Sequence, residues 1–327
     1  MHDFTVLVLP GALATTVAAS VDVLYTAAFL APRLGVGRPT WRVVSPAGPS
    51  VPLSGGLHVD ALPLPQRPRA ADSSLWIVPG LGVDRPADLP QRLQQADAQR
   101  AVAALARHAQ RGGEVAASCS AVFLLQAARL LAGRRVTTAW WLAGALRKLA
   151  PDCTVDADRM VCADGPVSTA GAAFAMTDLM LHLLRARFGA PLADAVGRVL
   201  VIDGRQAQAP FVLPPLAATG GVLVARLTEH IEAALPKPPS VEALAAQFAM
   251  SSRTLARHVK AATGQSPLAL VQSVRLNRAR MLIETSRLSI DQVAAQVGYE
   301  DATALRRLMR KVAGANPSRF RPSSFRQ

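Results

Sequence analysis

Two groups of residues in this 327-residue chain have types and spacings that suit chemistry. The first centres on a lone cysteine. In EVAASCSAVFLLQAARLL, residues 114–131, a short apolar run ends at Cys119 and a helical run begins at once. A sharp strand-to-helix turn of this kind lifts a nucleophile clear of a sheet. A working thiolate also needs a lowered pKa, a base and an orienting acid. The second group lies in the last hundred residues. In the run SSRTLARHVK, helical phase puts Ser252, Arg253, Arg257 and His258 opposite Leu255 and Val259. In DATALRRLMR the same phase puts Asp301, Thr303, Arg306 and Arg310 on an outward face. Arginine on an exposed helix face can read guanine by a bidentate pair or hold phosphate.

Charge agrees with the second group. The chain carries 36 Lys/Arg against 22 Asp/Glu, a net of +14. Residues 222–327 hold 16 of those cations and only 7 of the acids. A basic balance concentrated in one region points to a polyanionic partner.

The first two hundred residues must position the cysteine. Apolar β-branched runs at 5–10, 41–46, 74–80, 113–118 and 134–139 alternate with helical stretches at 17–33, 90–111, 120–131, 140–149 and 172–188. The 90–111 stretch is expected to bury Leu93, Val102, Leu105 and Ala109 and to show its Arg and Gln to water. This alternation predicts an α/β domain with a mostly parallel, flavodoxin-like sheet and helices on both faces. Ligands in such sheets bind at the carboxyl ends of the strands, where Gly11, Gly80 and Cys119 fall.

A Pro- and Ala-rich linker is expected at 206–221, and the chain beyond it reads as helical throughout. AAQFAMSSRTL (245–255) repeats as AAQVGYEDATAL (294–305), and GQSP (264–267) returns as GANP (314–317). Each copy reads helix, tight turn, helix. Ala245 and Ala294 allow the helices to cross closely, and Leu255 and Leu305 face the core. Gly298 fills the turn of the second copy, where positive φ is wanted, and Ala249 fills that of the first. Between the copies, 267–286 predicts one long helix with Leu270, Val274, Leu276, Ala279, Leu282 and Ile283 inside and Arg275, Arg278 and Arg280 outside. Two helix-turn-helix units joined by a rigid helix form an all-α DNA-binding domain whose second helices enter neighbouring major-groove segments roughly 34 Å apart.

Other classes are disfavoured. Cys119, Cys153 and Cys162 form no CxxC pair, so neither a disulfide framework nor a structural zinc site is expected, and no cofactor is called for. The six histidines show no metal-ligand spacing. The start, MHDFTVLVLPG, lacks a cationic leader, and no run reaches roughly 18 uninterrupted apolar residues, which predicts a cytoplasmic protein.

The pieces VLVLPG, DVLYTA, WIVPG, ASCSAVFLLQAARLLAGRRVTTAWW and VSTAGAAFAMTDLMLHLL resemble, in order, the PfpI/ThiJ branch of the class I glutamine-amidotransferase-like superfamily. The elbow-to-tryptophan segment resembles the sensor domain of GlxA-type regulators. The last hundred residues resemble the AraC-type DNA-binding domain, through Tyr299, Leu305, Arg307, Met309, Arg310, Gly314, Pro317, Phe320 and Arg321, with Asn316 in place of the usual Ser or Thr. The resemblance implies a sensor domain at 1–205 joined to a DNA-binding domain at 222–327.

The superfamily geometry brings Gly11, Gly80, Cys119, Ser120, Trp140 and Gly171 together as a ligand pocket. Backbone N–H groups at the elbow would hold an anionic group, and Trp140 or Trp141 an apolar or cationic one. Relatives of this type sense amino-acid-like or quaternary-amine metabolites and act as homodimers on promoter DNA, associating with the bacterial nucleoid. Active hydrolases of the superfamily place His after the cysteine and Glu after the first strand. Here Ser120 follows Cys119, Ala139 replaces a further His, and GALATTVAAS (11–20) holds no acid. The expectation is therefore a transcriptional regulator with a vestigial elbow. The alternatives are a cysteine hydrolase, deglycase or amidase fused to a DNA-binding domain, or a cysteine-based redox sensor.

Overall fold

A computed structural model describes residues 2–65, 72–83, 85–157, 159–202, 208, 222–263 and 266–313. The chain divides into two compact units, Met1–Arg205 and Gln206–Gln327. Within the expected linker, only Gln208 is described.

The first unit is built on a seven-stranded sheet. Its strands are β1 (Phe4–Leu7), β2 (Trp41–Ser45), β5 (Leu62–Pro63), β6 (Leu75–Val78), β7 (Val115–Ser118), β10 (Val161–Asp164) and β11 (Val167–Ala170). Their spatial order is β10-β11-β7-β6-β1-β2-β5. Every neighbouring pair is parallel except β10 with β11. The two remaining ribbons are β3 (Ser50–Pro52) with β4 (His58–Asp60), and β8 (Arg135–Val136) with β9 (Thr154–Val155).

Helices α1 (Ala14–Leu30), α6 (Ala175–Phe188) and α7 (Ala190–Val199) cover one face. Helices α2 (Leu89–Gln94), α3 (Ala96–Gln110), α4 (Val122–Ala127) and α5 (Ala143–Leu149) lie on the other. The period-two alternation of the strands sorts the core. Phe4, Val6 and Val8 pack with the α1 layer, while Leu7 and Leu9 pack with the α3–α4 layer.

Three sequence expectations change. The 134–139 run supplies only the two residues of β8, which pair outside the main sheet. The place beside β7 belongs to β11, one strand in from the antiparallel edge strand β10. The 90–111 stretch breaks at Gln95, whose extended backbone separates α2 from α3. That break rotates the buried face, so Ala98, Ala101, Ala104, Leu105 and His108 go inside while Val102 and Ala109 are half-buried. It also buries Arg92, which pairs with Asp97 at 2.7 Å and donates to the Pro10 carbonyl at 3.1 Å.

Helix α1, continuing into the turn at 31–34, is long and apolar enough by composition to cross a membrane, but half of its apolar window is buried in this domain. Its buried face, Val17, Val23, Leu24 and Ala27, belongs to the core on the sheet.

The second unit is helical throughout its described residues: α8 (Val222–Ala233), α9 (Val241–Gln247), α10 (Ser252–Thr263), α11 (Pro267–Thr285), α12 (Ile290–Gln296) and α13 (Ala302–Ala313). Serine opens the first helix of each copy. Ser240 accepts from Ala243 N–H, and Ser289 forms a full capping box with Gln292. Two cores result, one on Leu244, Leu255, Val259 and Val274, the other on Leu276, Val293, Leu305 and Met309. Helix α11 contributes to both, which is how it holds the copies in register.

Candidate functional site

Four neighbouring parallel strands, β11, β7, β6 and β1, end on the same edge of the sheet. Gly171, Cys119, Gly80 and Gly11 follow those ends. Cys119 has φ +54°, a left-handed backbone that non-glycine residues seldom adopt. The surrounding hydrogen bonds fix it there. Its N–H donates to the Gly171 carbonyl at 2.8 Å, and its own carbonyl accepts from Thr138 Oγ1 at 2.7 Å. Ser120 Oγ accepts from Leu81 N–H at 3.0 Å. Leu13 N–H donates to the Gly80 carbonyl at 2.8 Å. A Cβ on Gly80 would lie 3.2 Å from Cys119 Cβ and 3.3 Å from Leu13 Cδ1, so glycine is what lets the two strand ends close.

Gly11, Gly80, Cys119, Ser120 and Gly171 are thus brought to one edge. Trp140 is linked to them through Thr138, two residues earlier. Its recorded ring contact is with Trp141, at 5.0 Å and nearly perpendicular.

The chemistry of this edge is apolar. Cys119 is 1% exposed and belongs to the core cluster of Phe123, Leu124 and Val136, with Leu13 packed against it. Oxidation and acyl transfer both require an accessible thiolate. The elbow N–H of Cys119 and that of Leu81 already have acceptors, so neither is left for an anionic ligand. The N-terminus of α1 is also occupied, because Ser54 Oγ, from the turn between β3 and β4, accepts from Ala14 N–H at 3.0 Å. The other cysteines are ordinary core and rim residues. Burial pushes the Cys162 thiol up to about 11 and raises that of Cys153.

One feature of the edge was illegible in sequence. Arg92 ties the β1–α1 loop to α2 through Pro10, and its burial follows only from the break at Gln95.

In the second unit, α10 and α13 are the outward helices of their copies. Ser252, Arg253, Arg257 and His258 are exposed opposite buried Leu255 and Val259. Thr303, Arg306 and Arg310 are exposed opposite buried Leu305 and Met309, and Arg307 joins them. Asp301 does something else. Its Oδ1 accepts from Ala304 N–H at 2.9 Å, and such backbone hydrogen bonds hold its carboxyl below the usual range. It caps α13, as Ser251 caps α10 through Thr254 N–H.

Arg275 also departs from expectation. Rather than facing outward, it donates to the carbonyls of Val297 and Gly298 at 2.8 and 2.5 Å and lies 3.6 Å from the Tyr299 ring centroid. Arg278 is exposed as expected. The signature residues Gly314, Asn316, Pro317, Phe320 and Arg321 lie outside the described residues, as does the side chain of Arg280.

A mostly parallel α/β sheet with an elbow after an interior strand, joined to paired helix-turn-helix units with basic outer faces, defines a DNA-binding regulator. Residues 40–186 match the DJ-1/PfpI family, and residues 244–323 match a helix-turn-helix domain family. The chain is a helix-turn-helix transcriptional regulator that carries a DJ-1/PfpI domain and an AraC-type DNA-binding domain.

It is 27% identical over 300 residues to the HTH-type transcriptional regulator GlxA of Rhizobium meliloti, covering 90% of this chain and 89% of that protein. It is 28% identical over 201 residues to the HTH-type transcriptional regulator CdhR of Pseudomonas aeruginosa, 61% of this chain and 60% of that one. The crystal structure of an AraC family transcriptional regulator from Pseudomonas putida superposes with a TM-score of 0.51 at 20% identity, covering 61% of this chain and 100% of that chain. That likeness concerns the fold.

Proposed function

We propose that a small metabolite bound at the carboxyl edge of the sheet, around Gly11, Gly80, Cys119, Ser120, Trp140 and Gly171, sets the affinity of the two basic helices for promoter DNA. The protein acts as a homodimer in the bacterial cytoplasm. Arg253, Arg257, Arg306 and Arg310 supply base and phosphate contacts, with Ser252, His258 and Thr303 beside them.

The observation that carries the reading is the state of Cys119. The elbow keeps its strained backbone, yet the thiol is enclosed by apolar side chains and two N–H groups beside it are spent on internal bonds. Such a site favours binding over turnover. Binding there reaches the helices by linkage: a ligand that prefers one arrangement of the dimer shifts the population that fits DNA.

The test is a thermal-shift screen of the full chain against a panel of small metabolites, followed by duplex binding with each hit. A true effector raises the melting temperature and changes promoter affinity about 5- to 150-fold. Cys119→Ser leaves duplex affinity in reductant unchanged. A stabilising ligand that leaves duplex affinity untouched contradicts the proposal, as does a hydrolytic activity that Cys119→Ser abolishes.

A further inference from the structure

The two helix-turn-helix copies do not match residue for residue, and the difference falls where DNA is met. Up to the turn they run 49 residues apart. Met250 N–H donates to the Ala245 carbonyl at 2.9 Å, and Tyr299 N–H donates to the Ala294 carbonyl at 2.9 Å. Beyond the turn they run 50 apart. Ser251 Oγ accepts from Thr254 N–H, and Asp301 Oδ1 accepts from Ala304 N–H. The second copy therefore carries one extra residue, between Tyr299 and the cap of α13. That residue is Glu300.

Glu300 is exposed and belongs to no ion pair among the described residues. Its neighbour Asp301 is already engaged, accepting from Ala304 and Thr303 of its own helix, with the charge of Arg307 nearby. The leading turns of the two outward helices differ in charge as a result. Helix α10 opens with exposed Ser252 and Arg253. In their places α13 has buried Ala302 and exposed Thr303, with Glu300 ahead of them.

Phosphate repels a carboxylate, so an acid at this place costs affinity unless a base answers it. Only the amino groups of the bases donate in the major groove. Guanine shows acceptors at O6 and N7, and thymine an acceptor at O4. Adenine sets its N6 amino group beside the N7 acceptor, which turns a carboxylate away. Cytosine offers its N4 amino group with no acceptor beside it on the same base.

We propose that Glu300 is a specificity-determining residue. In the groove segment met by α13, its carboxylate accepts from the amino group of a cytosine and penalises the other three bases. The first copy has no counterpart, so one repeat reads two segments by different chemistry. Helix α10 leads with a donor, Arg253, while α13 leads with an acceptor.

The inference rests on the DNA contacts of α13 proposed above. The test is selection of the full chain on a randomised duplex library, with the bound duplexes of wild type, Glu300→Ala, Glu300→Gln and Arg253→Ala sequenced side by side. Arg253→Ala relaxes the preferences of one segment, which marks the segment read by α10. In the other segment the wild type enriches cytosine at one position, and replacing that base pair lowers affinity at least about fivefold. Glu300→Ala abolishes the cytosine preference, and it binds a scrambled duplex more tightly because a negative charge is gone. Glu300→Gln brings adenine in at the same position, since an amide pairs with N6 and N7 together. Glu300 is on the surface, so both of its variants should keep the wild-type melting curve. A cytosine preference that survives Glu300→Ala overturns the proposal. So does a Glu300→Ala protein that binds every duplex more tightly by one common factor, which is repulsion without reading. A wild type that enriches no sequence overturns the DNA contacts on which the inference rests.

Discussion

At an offset of 49 residues, Arg226 on α8 and Arg275 on α11 back the two helix-turn-helix copies, but they hold them differently. Arg275 makes two hydrogen bonds to the second turn and stacks on Tyr299 at 3.6 Å. Arg226 is exposed and lies 5.5 Å from the Phe248 ring centroid. The turns themselves match in shape and differ in residue. Ala249 has φ +53° and Gly298 φ +81°. A Cβ on Gly298 would lie 2.1 Å from the Pro236 carbonyl oxygen, whereas the first copy carries a Cβ at Ala249.

The duplication reaches into the backing helices. Thr228 and Asn277, also 49 apart, each leave a buried side-chain oxygen without a hydrogen-bond partner among the described residues. The second copy is thus pinned on both sides, by α11 and by the segment between α8 and α9. The first is seated on apolar packing and bears some backbone strain. One sequence pattern, used twice, has settled into a clamped half and a looser half.

The largest break in this comparison is expected at Gly298. Gly298→Ala adds left-handed strain to a collision with backbone, and should cost about 3 kcal/mol or more. All four tryptophans lie between residues 41 and 141, so tryptophan fluorescence follows the first unit and the loss of helical circular dichroism follows both. Gly298→Ala should separate the two urea transitions by moving only the one that fluorescence does not see.

Next in size is Arg275→Ala, at about 2 kcal/mol for its charged hydrogen bonds and ring contact. Arg226→Ala should stay within about 0.5 kcal/mol. Equal losses would mean that the clamp carries no energetic weight of its own.

Two smaller changes sharpen the picture. Ala249→Gly relieves the left-handed alanine and should stabilise the second unit by about 0.5–1 kcal/mol, read as a shift of the same urea transition. Asp301→Ala loosens the start of α13, and Asp301→Ser recovers it by restoring a cap. The carboxyl is held below its ordinary range, so its stabilising share is full above the unfolded pKa of an aspartate. It is lost as pH falls through the lower folded value. Asp301→Ser should therefore flatten that acid limb.

Periodicity made the repeat visible, because the same small and turn residues recur 49 positions on and the core leucines 50 positions on. It placed the exposed residues of α10 and α13 on their outward faces for the same reason. It could not find the Arg275 clamp. Phase assigns a residue to one side of a helix, but α11 serves two cores on two sides, so the rim of one stripe is the interior of another junction. Arg92 was hidden by a different cause: the break at Gln95 turns an arginine from the solvent side of a long amphipathic helix into the interior.

The elbow was legible as a shape from ASCSAVFLL, and the absence of its helpers was legible from Ser120 and the acid-free 11–20 segment. The closure of its donors was not. It depends on β11 lying beside β7, and VSTA is too short to announce itself as an interior strand.

The central claim is that the exposed arginines of α10 and α13 meet duplex DNA. Its most direct test is fluorescence anisotropy of the full chain on its promoter duplex and a scrambled duplex across a salt series, comparing wild type with Arg257→Ala and Arg306→Ala. The account predicts a preference for the promoter and a steep fall of affinity with salt. It also predicts a loss of about tenfold or more for each substitution that removes a base contact. Equal binding to both duplexes, or substitutions that leave promoter affinity and its salt slope unchanged, would contradict it.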